Sequence, residues 1–177
     1  MTKKIAYSLL LAGVIFLSPP INAQNLSTTI KVQAMDMATA FMKNDFKTFA
    51  RYMHPGIIAF AGGEEQMKLK MDSAYKVMKR FGITFKKYWI GNPGKIISHK
   101  NQLQAVLPES IAMKTPLGDM ITETTMIVIS NDKGKNWWFI DTNVYKADKL
   151  KEILPELSPE LVIPAGKKPR LVPVSNN

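Results

Sequence analysis

Between residues 27 and 43 the apolar positions Ile30, Ala34, Met37, Ala38 and Phe41 recur at helical spacing, while Lys31, Gln33, Asp36 and Lys43 fall elsewhere around the axis, which predicts one amphipathic helix. Asn44 or Asp45 is placed to cap a second, shorter helix, whose Phe46, Phe49, Ala50 and Met53 form one stripe before Pro55 and Gly56 end it. The run "GIIAFAGG" reads as a brief strand and turn. A third helix follows on Met67, Met71, Ala74, Met78 and Phe81, with Gly82 where a C-terminal cap glycine belongs. After Ile83 the period changes. "ITFKKYWI", "QLQAVLPESIAMK", "DMITETTMIVIS" and "NWWFIDT" are rich in β-branched and aromatic residues, and "GNPG", "TPLG" and "NDKGK" supply turn chemistry. A short helix at 146 to 154 precedes a proline-rich tail, residues 155 to 177. Helices first and an antiparallel meander afterwards is an α+β pattern, in which a sheet buries a face against a helical layer.

The amino terminus has a different character. Lys3 and Lys4 precede the apolar run "IAYSLLLAGVIFL", then Pro19 and Pro20, then a polar segment ending at Ala23. That order is expected of a secretory signal peptide, residues 1 to 23, cleaved after Ala23. The apolar run is shorter than the ~20 residues of a spanning helix, and no later stretch is long and apolar enough to span. The organisation expected is therefore a signal peptide, one domain at 24 to 154, and the tail. The chain has no cysteine, which closes the lipoprotein route, disulfides and thiolate metal sites alike. Export to the periplasm or the medium follows as the expected location. Of 24 basic residues, 22 remain after cleavage against 14 acidic ones. Such a field favours anionic partners, but the lysines are not interleaved with aromatics and no nucleic-acid module signature appears, so no nucleic-acid function is expected.

Candidate chemistry is sparse. Ser130, Asp132, Gly134 and Trp137 have the S-x-D-x-G-x-x-W spacing of the Asp-box, a hairpin best known from sialidase-type propellers. A chain of 177 residues cannot hold several four-stranded blades. The stretch is expected to be a structural turn: Asp132 accepts backbone N–H bonds, Gly134 takes positive φ, and a tryptophan anchors the next strand. Two glutamates lie on apolar strand faces, Glu109 with Leu107, Ile111 and Met113, and Glu123 with Ile121, Ile127 and Ile129. A tight two-residue turn at "TPLG" sets 109 opposite 124 and turns the glutamates to opposite sides; a one-residue bulge brings them together. Two solvent-facing glutamates are the expectation. Glu109, Glu123, Asp141 and His54 are the candidate catalytic residues, and Tyr88 and Trp138 the candidate ligand contacts. His54 and His99 show no metal-binding spacing, so no metal is expected, nor any cofactor. His54 is read as sitting at a helix end, where a cation complements the dipole. Gly62 and Gly63 read as a plain turn.

The element order, with "ATAFMKNDFKTFARYMHPGII" and "GGEEQMKLKM", resembles the nuclear-transport-factor-2-like superfamily, which includes the SnoaL-like proteins, over about residues 27 to 145. The resemblance implies helices wrapped by a strongly curved antiparallel sheet into a cone, often with a pocket at its mouth. It implies no invariant catalytic motif. Two functions are compatible with it. One is a non-catalytic exported protein that binds a small apolar or anionic ligand or a protein partner. The alternative is an isomerase- or dehydratase-type enzyme using pocket carboxylates. "MIVI" (126 to 129) and "WWFI" (137 to 140) are apolar at successive positions, so both sheet faces need a cover. A homodimer through the sheet face is the expected cover, with the tail as the competitor. For export, amino-terminal sequencing of the secreted protein should begin at Gln24; recovery of an intact Met1 form in the membrane would contradict cleavage.

Overall fold

The structure, a computed structural model, describes residues 23 to 145 and 147 to 173. The expected signal peptide lies outside these residues except for Ala23. Among these described residues five helices and six strands follow one another: α1 (Ala23–Met42), α2 (Phe46–Ala50), α3 (Pro55–Phe60), α4 (Glu64–Arg80), β1 (Thr84–Ile90), β2 (Ile97–His99), β3 (Gln102–Thr115), β4 (Gly118–Ser130), β5 (Trp138–Asp141), α5 (Ala147–Ile153) and β6 (Arg170–Pro173). The class is α+β, with one open, antiparallel six-stranded sheet. No helix among the described residues is long and apolar enough to cross a membrane.

The helix ends follow from single residues. Asn44 takes φ 56, and the Asn44 and Asp45 N–H groups bond to the Phe41 and Ala40 carbonyls, a Schellman end for α1. Asp45 then turns to the next helix, its Oδ1 accepting from Thr48 N at 3.1 Å. Gly82, at φ 65, ends α4 in the same manner as Asn44 ends α1. The stretch expected to be a strand, residues 56 to 63, is instead mostly helix α3. Pro55 occupies the first turn, where its missing N–H costs nothing, and His54 caps it, with Nδ1 accepting from Gly56 N at 3.0 Å. His54 thus starts a helix rather than ending one. Its ring is an acceptor and not a cation at that position.

The sheet is organised by the β3–β4 hairpin, paired from Leu103↔Ser130 to Thr115↔Gly118. Pro116 and Leu117 form a two-residue turn, in which Thr115 Oγ1 donates to Gly118 O at 2.8 Å and accepts from Leu117 N at 3.2 Å. β1 and β2 pair successively along the outer edge of β3. β5 and β6 share the far edge of β4, at Met126–Ile129 and Gly118–Ile121 respectively. Gly118, at φ 137, has to be glycine, because a Cβ there would lie 2.3 Å from the Val172 carbonyl oxygen of β6. Two strands escape sequence reading. β2 is three residues long, and β6 carries no apolar alternation because all four of its side chains are exposed.

Residues that face each other across this register sort into two cores. Ala105, Leu107, Met126, Val128 and Phe139 pack with Trp137 and with Ile30, Ala34 and Met37 of α1. On the other face Ile127, Ile129 and Ile140 pack with Ile57, Leu150 and Leu154, and Leu157, Leu161 and Ile163 of the tail lie against them. The face expected to need a second subunit is therefore covered here by α3, α5 and the tail, with Ile127, Ile129 and Ile140 no more than 1% exposed. This removes the ground for the homodimer at that surface.

Gln104 ties the tail down. Fully buried, it donates from Nε2 to Glu156 O and accepts at Oε1 from Ser158 N, both at 2.8 Å. Gln104→Leu strands two backbone groups and should cost about 3 kcal/mol, at 1 to 3 for each group left unpaired. Urea unfolding measures this; a change within about 0.5 kcal/mol, the range of an ordinary surface substitution, would show that the tail is held by its apolar side chains alone.

Candidate functional site

Between α4, the carboxyl-terminal half of α1 and the sheet lies a cavity of about 530 Å³. Its walls are apolar, from Met37, Phe41, Met67, Met71, Met78 and Met126. The methionines of α4 face it because Met67, Met71, Ala74 and Met78 recur every three or four residues. Among the described residues the polar lining is confined to Tyr75, Tyr88, Tyr145, Glu109, Asp141 and Lys70.

Strand pairing brings the two carboxyl groups in. Glu109 stands opposite Thr124, and Asp141 opposite Met126, so both side chains project from the same face on either side of Thr124. Thr124 Oγ1 lies 3.5 Å from Asp141 Oδ1, which also accepts the Asn143 N–H at 2.7 Å. Glu109 is 5% exposed, and its Oε2 is buried without a hydrogen-bond partner. Burial, and after it the Asp141 carboxylate, push the Glu109 carboxyl from an ordinary 4.5 up to about 8. Burial raises Asp141 as well, partly offset by hydrogen bonds from Asn143 and Thr124. Asp141 has donors that stabilise its anion and Glu109 has none, so Asp141 ionises first and Glu109 keeps its proton at neutral pH. The Tyr75 hydroxyl is likewise buried without a well-formed hydrogen bond, and burial pushes it up to about 12, the Asn44 backbone opposing weakly.

The other candidates go elsewhere. Because the turn is the tight one, Glu123 projects from the opposite face, where it pairs with Lys167 of the tail, and that hydrogen bond holds its carboxyl below the ordinary range. The expectation of two solvent-facing glutamates fails for Glu109. His54 packs edge-on against Trp138, ring centroids 5.0 Å apart, and burial lowers its pKa. Neither residue lines the cavity that holds Glu109; Tyr88 does, at 8% exposed. Sequence reading misses Tyr75 and Tyr145. Tyr75 follows Met71 by four in the methionine row, and a polar-tipped aromatic in such a row is the available signal. Tyr145 has none, since it lies in the turn after β5.

The Asp-box stretch forms a closed hydrogen-bonded turn. Asp132 accepts from Ser130 Oγ and from the Lys135 and Asn136 N–H groups, and the Asn136 amide reaches its second oxygen. Burial raises the Asp132 carboxyl, but these bonds together outweigh it and leave it below its ordinary value. Trp137, 1% exposed, donates from Nε1 to Gly134 O. Gln33 of α1 clamps the same loop, accepting from Trp137 N and donating to Lys135 O, both at 2.8 Å. All four motif residues are thus engaged in folding. No protein-family profile matches the chain, and no curated protein matches it significantly.

The Glu109 shift sets a pH dependence. The unfolded chain releases this proton near 4.5 and the folded protein near 8, so between those values the folded state holds the extra proton and stability falls as pH rises. The loss is on the order of a few kcal/mol. Asp45, Asp72, Glu123 and Asp132, all lowered, act in the opposite sense at acid pH; Asp141, raised, adds to the decline, and His54, lowered by burial, opposes it below its ordinary 6.5, so the Glu109 contribution is read as the difference between wild type and variant. In thermal melts the stability of the wild type relative to Glu109→Gln should decline from about pH 5 to about pH 8, most clearly above about pH 6.5, where His54 no longer opposes it. An unchanged slope in the variant would mean that Glu109 is ionised in the folded protein at neutral pH.

Proposed function

We propose that this is an exported, nuclear-transport-factor-2-like cone protein whose cavity binds a small, largely apolar molecule carrying one hydrogen-bonding group. The single observation that carries this reading is the unpartnered, buried Oε2 of Glu109 set in a wall of methionine and phenylalanine. An apolar pocket with a few convergent polar groups is the usual form of a ligand site. A protonated Glu109 donates to a carbonyl or hydroxyl oxygen. An anionic head group is disfavoured beside Glu109 and Asp141, and Lys70, the one cation of the lining among the described residues, already donates to Ala61 O. The apolar half of the ligand expectation is the one retained.

A second reading has a specific observation in its favour. A protonated Glu109 beside a more acidic Asp141, with Tyr88 and Tyr145 in the same cavity, is a pair with divided acidities, and such pairs perform proton transfer. That is the arrangement the isomerase- or dehydratase-type alternative requires.

One experiment addresses both. Native mass spectrometry of the purified protein, alone and with long-chain ketones and alcohols, should detect a bound molecule, and Glu109→Leu should weaken retention about tenfold, equivalent to one lost hydrogen bond at about 1.4 kcal/mol. No retained molecule in any sample would overturn ligand binding. Deuterium incorporated into a bound ketone in heavy water, by the wild type and not by Glu109→Gln, would favour the enzyme over the binding protein.

A further inference from the structure

The end of the molecule formed by the β3–β4 turn carries an apolar cluster that no core uses. Leu117 at the turn is 74% exposed and Phe81 at the end of α4 is 61% exposed. They belong to one surface: a Cβ on Gly82 would lie 3.7 Å from Pro116 Cγ, and Thr84 pairs with Lys114 just below the turn. β6 adds Leu171 and Val172, 47% and 39% exposed, through its pairing with Met120 and Asp119.

Around these side chains positive charge predominates. Lys76, Lys79, Arg80, Lys86, Lys114 and Arg170 are all exposed. In residues 73 to 90, 111 to 121 and 166 to 173 the one acidic residue is Asp119, which is paired with Lys86; Asp72 and Glu123, just outside these ranges, lie near Lys76 and Arg170, and Lys79, Arg80 and Lys114 keep the surface in positive excess. Three kinds of partner could meet such a surface. A second copy of the same surface would set cation against cation. A nucleic acid or acidic polysaccharide would use the cations and leave Phe81 and Leu117 in water. An anionic lipid bilayer uses both, since apolar side chains on a protruding turn enter the boundary between head groups and acyl chains while lysine and arginine meet the phosphates.

We infer that this end of the protein, Leu117 and Phe81 with their ring of lysine and arginine, is a peripheral docking surface for an anionic phospholipid bilayer. The surface is separate from the Glu109 cavity, so the inference does not depend on the proposed ligand. Docking places the turn in the lipid and leaves α5, the tail core and the Asp132 hairpin in water.

Vesicle co-sedimentation of protein expressed from the full chain tests this. Binding should be at least tenfold stronger to vesicles of phosphatidylglycerol with phosphatidylcholine than to phosphatidylcholine alone, and should fall with added salt. Phe81→Ser with Leu117→Ser, both at exposed positions, should reduce it at least tenfold with the circular dichroism spectrum unchanged. Leu117→Trp should show an emission shift to shorter wavelength on binding anionic vesicles only, measured as the difference from wild type. Equal binding to both vesicle types, or none, would overturn the inference. So would binding that survives the double serine variant with no emission shift and is competed by heparin, which would identify a surface for soluble polyanions.

Discussion

The two-residue turn at Pro116–Leu117 is the constraint on which the rest of this structure depends. Side chains on a strand alternate with a period of two, so the length of one turn decides the facing of every residue on a 14-residue and a 13-residue strand. With Thr115 opposite Gly118, Leu107 and Met126 meet over α1, Ile127 faces the tail, and Glu109 points into the cavity while Glu123 points away. One extra residue at the turn would reverse one strand against the other and put charge into a core. The local chemistry is accordingly strong: proline fixes one φ, the Thr115 hydroxyl bonds across the turn, and glycine opens the return strand.

The cavity shows what happens when an acid is placed by register rather than by partners. Glu109 is brought to an apolar wall because its neighbours in the alternation, Leu107 and Ile111, belong there. Among the described residues no cation pairs with it, so the site meets the cost of burying a carboxylate by keeping the group neutral. Asp141, at the end of β5, has the Asn143 N–H and the Thr124 hydroxyl for its charge. Two chemically similar groups a strand apart are thus held in different states by the donors around them.

Much of the fold is legible in the pattern of residues along the chain, and the parts that are not have physical reasons. Long periodic elements announce themselves: Ile30, Ala34 and Met37 for α1, the methionine row for α4, the apolar runs of β3, β4 and β5. α3 does not, because two adjacent isoleucines in six residues look like strand, and the deciding feature is a histidine acting as a cap, which is outside the usual set of capping residues. β6 does not, because its pairing is entirely a matter of backbone. Both register options for the glutamates are visible in the spacing, and the Thr115 hydroxyl bonds that accompany the tight turn show only in three dimensions. The site is half visible: Glu109, Asp141 and Tyr88 stand out on strands, whereas Tyr75 and Tyr145 require the third dimension.

The position of β6 has a consequence for the order in which this protein can be completed. Its pairing partner is the start of β4, some fifty residues earlier in the chain, and Gln104 waits for Glu156 and Ser158. The segment from 154 to 173 therefore closes both the sheet edge and the second core. Until it emerges from the ribosome, Ile127, Ile129 and Ile140 have Ile57 and Met67 over them but not Leu154, and the second core is incomplete. A chain built in this way can pack α1 against the sheet first and seals its second face only when residues 154 to 173 are free to fold back.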